Sequence, residues 1–387
     1  MNIFRWHFAP GVTSAMLASA ALGAQFVAST SARDALFLTG FKATALPLMM
    51  IASATVSIVL VAVAWFALRR VPPSTHVPLT FAASALLIVA EWELTRVAPS
   101  AAARIFYLHV TALLPLLGSG FWLVLNERFD PRTAKKHFGQ IGGMQTLGGF
   151  VGGLLAASFA TSQGVTGMLL LPAVLQAIGA WQVRALARST PSDASRRGVP
   201  DATADLVPSA WRVLARARYV RTLAVVVLLV ATAAVFIDYV FKFQVAASFE
   251  PGASLGKFFS LYNAGLSLVT FALQAFASRA VIERLGLAAA TGAPSLMLVV
   301  GSVFAIVAPG LWSFIAAHGG ERATRGSLLR TGQEQFYTPL APADRRAVKN
   351  TIDVGAPRAG DIVGGVSVQL LIGLAGQSPV RLLLACG

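Results

Sequence analysis

"VVVLLVATAAVFIDYVFKFQ", residues 225–244, has the apolarity of a membrane span, yet it sets Asp238 and Lys242 four residues apart near its end. Twenty helical residues rise about 30 Å, the thickness of the hydrocarbon core of a bilayer. Two readings of the charges compete: they anchor the span at the water boundary, or they line a polar path through it.

Composition settles the class. Of 387 residues, 56% are hydrophobic and only 12% charged, and the mean hydropathy is +0.69. A soluble domain cannot hide that much apolar surface, so the chain is read as an integral membrane protein. Its apolar runs contain Gly and Pro and do not alternate with period two, which predicts an all-α protein rather than a barrel. The expected spans are 8–30, 44–67, 76–95, 104–126, 138–160, 163–183, 220–244, 256–278, 286–307, 309–338 and 354–375. The tenth is polar in its second half. Only "GQSPVRLLLACG" follows residue 375, too short for another crossing. The first residues, with Arg5 ahead of an apolar run, also look like a signal peptide, but the many spans behind them favour an uncleaved first helix.

The net charge of +15 would suit nucleic acid if it were clustered on a soluble face. It is read instead as topology. With the N-terminus inside, Arg5 and the loops 68–75, 127–137, 184–219, 279–285 and 339–353 hold 19 of the 31 Lys and Arg. The opposite side holds five: Arg33, Lys42, Arg96, Arg104 and Lys257. That asymmetry predicts a cytoplasmic N-terminus and basic loops that touch anionic lipid, so membrane lipids are expected partners and nucleic acid is not. Cys386 is the single cysteine and no Cys/His cluster suggests a metal; no cofactor is expected.

The loop 184–219 is rich in Ser, Pro, Ala and Arg, with a possible amphipathic stretch at 208–218. It divides the chain into an N-terminal bundle of six helices, 1–183, and a C-terminal bundle of about five, 220–387. Transporters built from two such repeats hold substrate near the bilayer midplane. The loop could equally join two independently packed bundles.

Several motifs carry polar groups into apolar surroundings. "STSARDALFLTGFK" supplies Arg33, Asp34 and Lys42 near the end of the first span. Charges at the bilayer centre cost about 2.5–3.5 kcal/mol each on insertion scales. Snorkelling explains Arg33 and Lys42, but the short carboxylates of Asp34 and Asp238 cannot reach far. The i, i+4 spacing places Asp238 and Lys242 on one helix face, able to pair. "AEWELTR" offers Glu91 and Glu93 on different faces; Glu91 is the one expected inside the membrane, as a proton-carrying carboxyl or as part of a solvated helix end. Gly148, Gly149, Gly152 and Gly153 predict close helix packing; the Gly-Lys-Ser/Thr ending of a P-loop is missing. In "LWSFIAAHGGERATRGSLLRTGQEQFYTPL", residues 311–340, His318, Arg322 and Arg325 recur at i, i+4 and i+7 and form a cationic stripe suited to an anion, with Glu334 to neutralise a resting Arg. A wet helix outside the membrane is the rival reading. Asp353 and Arg358 either latch helix ends together or sit in headgroups.

Four blocks, "RDALFLTGFKATALP", "FWLVLNERFDPRTAKKHFGQIGG", "IDYVFKFQVAASF" with "LGKFFSLYNAGLSLVTFALQ", and "RGSLLRTGQEQFYTPLAPADRRAVKNTIDVGAPRAGDIVGG", resemble the ATP/ADP translocase family and its bacterial relatives within the major facilitator fold. The resemblance covers about residues 30–375. It implies twelve helices in two six-helix halves rocking about a central site, and organic-anion substrates, with nucleotides the precedent. On this chain the twelfth helix is expected to be absent or truncated. Lys42 lies where the family has a basic residue after its first-span motif, Asp238 and Lys242 in its Asp-Tyr-x-x-Lys motif, and Arg330 in its Leu-Arg block. The stretch "ALRRVPPS" departs from the general facilitator signature.

The resulting expectation is a monomeric secondary transporter in a bacterial inner membrane, moving a small anionic solute by alternating access. Arg33, Lys42, Lys242, Arg322, Arg325 and Arg330 would bind substrate, while Asp34, Glu91, Asp238, Glu334, Asp353 and Arg358 would gate or carry protons. The alternative is a non-transporting sensor or assembly protein derived from a transporter. No clustered His/Asp/Ser constellation is legible, so an enzyme is not expected.

Overall fold

The computed structural model describes residues 11–68, 70–129, 131–188, 210–308, 310–329, 336, 340, 344, 348–349 and 351–375. Among them there is no strand. The helices are α1 (Val12–Gly40), α2 (Leu46–Leu68), α3 (Pro73–Val97), α4 (Pro99–Arg128), α5 (Pro131–Gly167) and α6 (Leu170–Arg188). A short α7 (Ala210–Arg216) precedes α8 (Arg218–Ser248), α9 (Ala253–Ala272), α10 (Ser278–Val307), α11 (Leu311–Thr324) and α12 (Ala356–Ala375). Prolines open α3, α4 and α5, where the missing N–H has no helical partner to lose.

Among the described residues eight helices are long and apolar enough to cross a membrane, α1–α4, α6 and α8–α10. The glycine-rich α5, the 14-residue α11 and α12, with Arg358 and Asp361 in its first turns, are helical but not among the eight. Together with the exposed apolar rows described below, these spans make the chain an integral membrane protein.

The structure corrects two expected boundaries. The first helix runs to Gly40 rather than ending near residue 30, so Arg33 and Asp34 lie within it. The expected span 309–338 stops being α-helical at Thr324 and passes into a π-helical turn, Arg325–Leu329. Further π turns occur at Leu273–Ala277 and Thr351–Gly355. The turns at 273–277 and 325–329 touch, and Gln274 Nε2 donates to the Gly326 carbonyl at 3.1 Å. Gly164 (φ 70°) and Gly286 (φ 83°) break α5 and α10 in the left-handed region, which favours glycine.

One compact unit comprises residues 1–36, 61–200 and 252–268. Its core joins Ala15, Leu22, Phe81, Leu117, Phe121 and Val183, with α3 lying along both α4 and α6. The glycine run of α5 does what its spacing predicts. A Cβ on Gly148 or Gly152 would strike the α1 backbone at Ala20 or Ala24, and one on Gly153 would meet Ala264 of α9 at 2.7 Å.

The other unit comprises residues 37–60, 201–251 and 269–387. Gly360 and Gly364 of α12 let it press on α8 at Leu228 and Val235, and Thr232 Oγ1 donates to the Gly360 carbonyl at 3.3 Å. The helix α7 falls on the expected amphipathic stretch: Val213 is buried with Val220, Leu223, Val227, Val348 and Ile352, while Arg216 reaches Asp344 at 3.1 Å. On α10, Leu296, Val299, Val300, Val303, Phe304 and Val307 are exposed at helical spacing, a surface that suits acyl chains and not water.

Candidate functional site

The charges of residues 225–244 are turned into the protein. The Lys242 side chain is only 3% exposed, and its Nζ lies 2.7 Å from Asp238 Oδ2, the contact that i, i+4 spacing on α8 permits. A second helix then closes on the same carboxylate. From α11, His318 Nε2 reaches Asp238 Oδ1 at 3.2 Å and Arg322 Nη1 reaches it at 3.7 Å. His318 is 1% exposed and stacks on Phe241 of α8, with ring centroids 4.2 Å apart and planes 11° from parallel. The aromatic stack fixes the imidazole, and the imidazole helps fix the carboxylate. The stripe read from His318 and Arg322 therefore packs into the protein rather than lying on a wet surface.

Arg325, the third member of the stripe, pairs with Glu321, its Nε 3.0 Å from Oε1. Sequence reasoning gave that neutralising role to Glu334, which lies outside the described residues, as does Arg330. Asp353 and Arg358, paired in the sequence reading, each find a partner closer along the chain. Asp353 bridges to Lys349 at 3.2 Å, four residues away, and Arg358 to Asp361 at 2.8 Å. Neighbours one helical turn away are reached without spanning the join between the π turn and α12.

Among the described residues Asp238 meets Lys242, His318 and Arg322, Glu321 meets Arg325, and Asp361 meets Arg358. Buried charges are tolerated when paired and hydrogen-bonded. A guanidinium fork such as that of Arg322 or Arg325 has the geometry to receive a carboxylate or phosphate.

Two cavities lie in this unit. One of about 300 Å³ is walled mainly by Leu223, Val226, Val227, Val230 and Leu329, with Arg325 at its edge. Another of about 480 Å³ is lined by Thr39, Lys42, Thr44 and Phe243. Lys42 is exposed there and makes no ion pair among the described residues.

The remaining predicted groups belong to the first unit. Arg33 and Asp34, consecutive on α1, bridge each other at 2.7 Å and are both buried. Arg33 also donates from Nη1 to Thr111 Oγ1 at 3.1 Å and lies over the Tyr107 ring, 5.0 Å from its centroid. It does not snorkel. Glu91 is 2% exposed, and both its oxygens lie 3.0 Å from His109 Nδ1 on α4. Ser84 Oγ meets the other ring nitrogen, Nε2, at 2.8 Å. Glu93 is exposed and pairs with Arg96. Sequence reasoning missed His109, Tyr107, Thr111 and Glu321. A histidine inside the apolar run "RIFYLHVTALL" was the available signal for the first; Glu321 stands four residues before Arg325.

No protein-family model and no curated protein matches the chain. Solved structures do match over nearly its whole length. The nucleoside transporter NupG aligns with a TM-score of 0.67 at 12% identity, covering 98% of this chain and 96% of its own. A POT family transporter in complex with 5-aminolevulinic acid gives 0.68 at 12% identity, with 99% and 95% coverage. The human organic anion transporter TETRAN gives 0.56 at 14% identity, with 98% and 99% coverage. The chain has the fold of the major facilitator transporters.

Proposed function

We propose that the chain is a secondary transporter that moves a small anionic metabolite across a membrane by alternating access. The observation that carries this reading is Asp238, one carboxylate shared by Lys242, His318 and Arg322. A resting carboxylate of this kind holds cationic side chains in place until a substrate anion takes over part of their field. Solved proteins of the same fold carry nucleosides and organic anions by their descriptions, which supports a substrate of that class. The ATP/ADP-translocase-like blocks narrow the reading to a nucleotide, exchanged against another.

In this proposal Lys242, Arg322 and Arg325 meet the substrate charge first, with Arg33, Lys42 and Arg330 contributing from other segments. Asp34, Asp238 and Glu334 release or hold those cations, and Asp353 and Arg358 brace the approach to α12. The two halves are residues 1–183 and 220–387, joined by 184–219. The site works in a bacterial inner membrane, with the N-terminus and the basic loops cytoplasmic and in contact with anionic lipid, and the chain acts as a monomer.

Uptake into proteoliposomes of labelled nucleotides, nucleosides and organic acids tests the reading. The expected result is saturable uptake of at least one anion, lost in Lys242→Met. No saturable uptake of any of them overturns it.

A further inference from the structure

We propose that Glu91, His109 and Ser84 form a buried proton-binding site whose occupancy is linked to the substrate site through α4. The linkage rests on the transporter reading above; the proton site itself does not.

Three observations build it. The side chains of the three residues are buried, Ser84 at 1% exposure, Glu91 at 2% and His109 at 7%. Their hydrogen bonds form a chain in which both imidazole nitrogens are engaged, Nδ1 by the Glu91 carboxyl and Nε2 by the Ser84 hydroxyl. Among the described residues those side chains bond to one another and to nothing else.

Charge then limits what the cluster can hold. With one proton on Nδ1 donated to an ionised Glu91, Nε2 accepts from Ser84 and the site carries a buried negative charge. Adding a proton gives a neutral whole, either as imidazolium with carboxylate or as neutral histidine with carboxylic acid. In the imidazolium form Nε2–H donates and Ser84 turns from donor to acceptor. An uncompensated buried charge is costly, so gaining or losing the proton changes what the surroundings must supply.

The facing elements supply no competing charge. Between Leu170 and Val183, α6 has no titratable residue, and α5 has none between Ile141 and Gly167. On α3 the other charges are Glu93 and Arg96, exposed and paired to each other. On α4 and α1 the titratable groups besides His109 are Arg104, Tyr107, Glu127, Arg128, Arg33 and Asp34, of which Glu127 and Arg128 lie in the last turn of α4 and Arg33 and Asp34 are mutually bridged; His76 lies in the first turn of α3.

The order Ser–His–Glu is also that of a hydrolase triad. A nucleophile must meet a carbonyl, however, and Ser84 is enclosed, with none of the three lining either cavity described above. A proton is the ligand small enough to use the site. The route to the substrate is short: His109 sits on α4 between Tyr107 and Thr111, the two residues that hold Arg33. A change in the bonds of His109 to α3 therefore bears on the helix that positions Arg33.

Infrared difference spectra of the purified full chain across acidification test the proton site without any substrate. The expected result is a carboxyl band present in the wild type and absent from Glu91→Gln. Ser84→Ala, which leaves the Glu91–His109 pair intact, should move the midpoint of that band. Identical spectra for wild type and Glu91→Gln, or an unmoved midpoint in Ser84→Ala, overturn the proposal. In proteoliposomes, Glu91→Gln with an unchanged melting temperature should lose accumulation of the transported anion driven by a pH gradient. Unchanged accumulation overturns the linkage. If the wild type exchanges no anion, the transporter reading falls and the infrared result alone decides the proton site.

Discussion

Asp238 is the residue on which the functional cluster turns. Replacing it by Asn removes the carboxylate that lies 2.7 Å from the Lys242 ammonium, a side chain 3% exposed, and breaking one side of a buried pair costs about 3–5 kcal/mol. Asp238→Asn should therefore lower the melting temperature in detergent, while Asp238→Asn with Lys242→Met should be more stable than Asp238→Asn alone. A single variant as stable as wild type would show that Lys242 has another counter-charge. Arg322→Lys keeps the charge and removes the fork; it should raise the half-saturation concentration roughly tenfold, the loss of one charge-assisted bond of about 1.5 kcal/mol, with the maximal rate kept. An unchanged half-saturation would remove Arg322 from the site. Asp238, Lys242, His318 and Arg322 could be read from the sequence because helical spacing alone puts each pair on one face. The Glu91–His109 bond could not, since two helices must first pack before residues 18 apart meet.

Helices were legible from apolar runs, and their ends less so. The chain "STSARDAL" looks like the polar end of a span, yet Arg33 and Asp34 satisfy each other inside α1, so the helix continues past them. Packing by glycine was legible because small residues four apart need no long-range knowledge. That reading makes a contrast testable. Gly152→Leu would drive a side chain into α1 at Ala24, and overpacking of this kind costs about 1–3 kcal/mol or more. It should give a lower melting temperature and a broadened elution profile. Gly142, on the same helix, has nothing within 4 Å of where a Cβ would lie. Gly142→Ala should leave stability unchanged or raise it by up to about 1 kcal/mol. Equal behaviour of the two variants would mean that α5 does not press on α1.

For the whole molecule, class and fold were readable from hydropathy, while the compact units were not. Each draws on three separate stretches of chain, a result of contacts that no local pattern encodes. The alternating access proposed above makes a prediction at this scale. In a Cys386→Ser background, Arg325→Cys should be labelled by a membrane-impermeant maleimide at a rate that changes when a transported anion is added. A rate indifferent to every anion in the uptake panel would argue for a static molecule. The two π-helical turns at 273–277 and 325–329 bear on how such a movement can happen. A π turn already forgoes the regular backbone bonding of an α-helix, and here a side-chain amide, Gln274, holds the exposed carbonyl of its neighbour. Tilting the helix axes at that level sacrifices little that the backbone had gained, and the shared amide obliges α9 and α11 to bend in step, like two fingers joined at one knuckle.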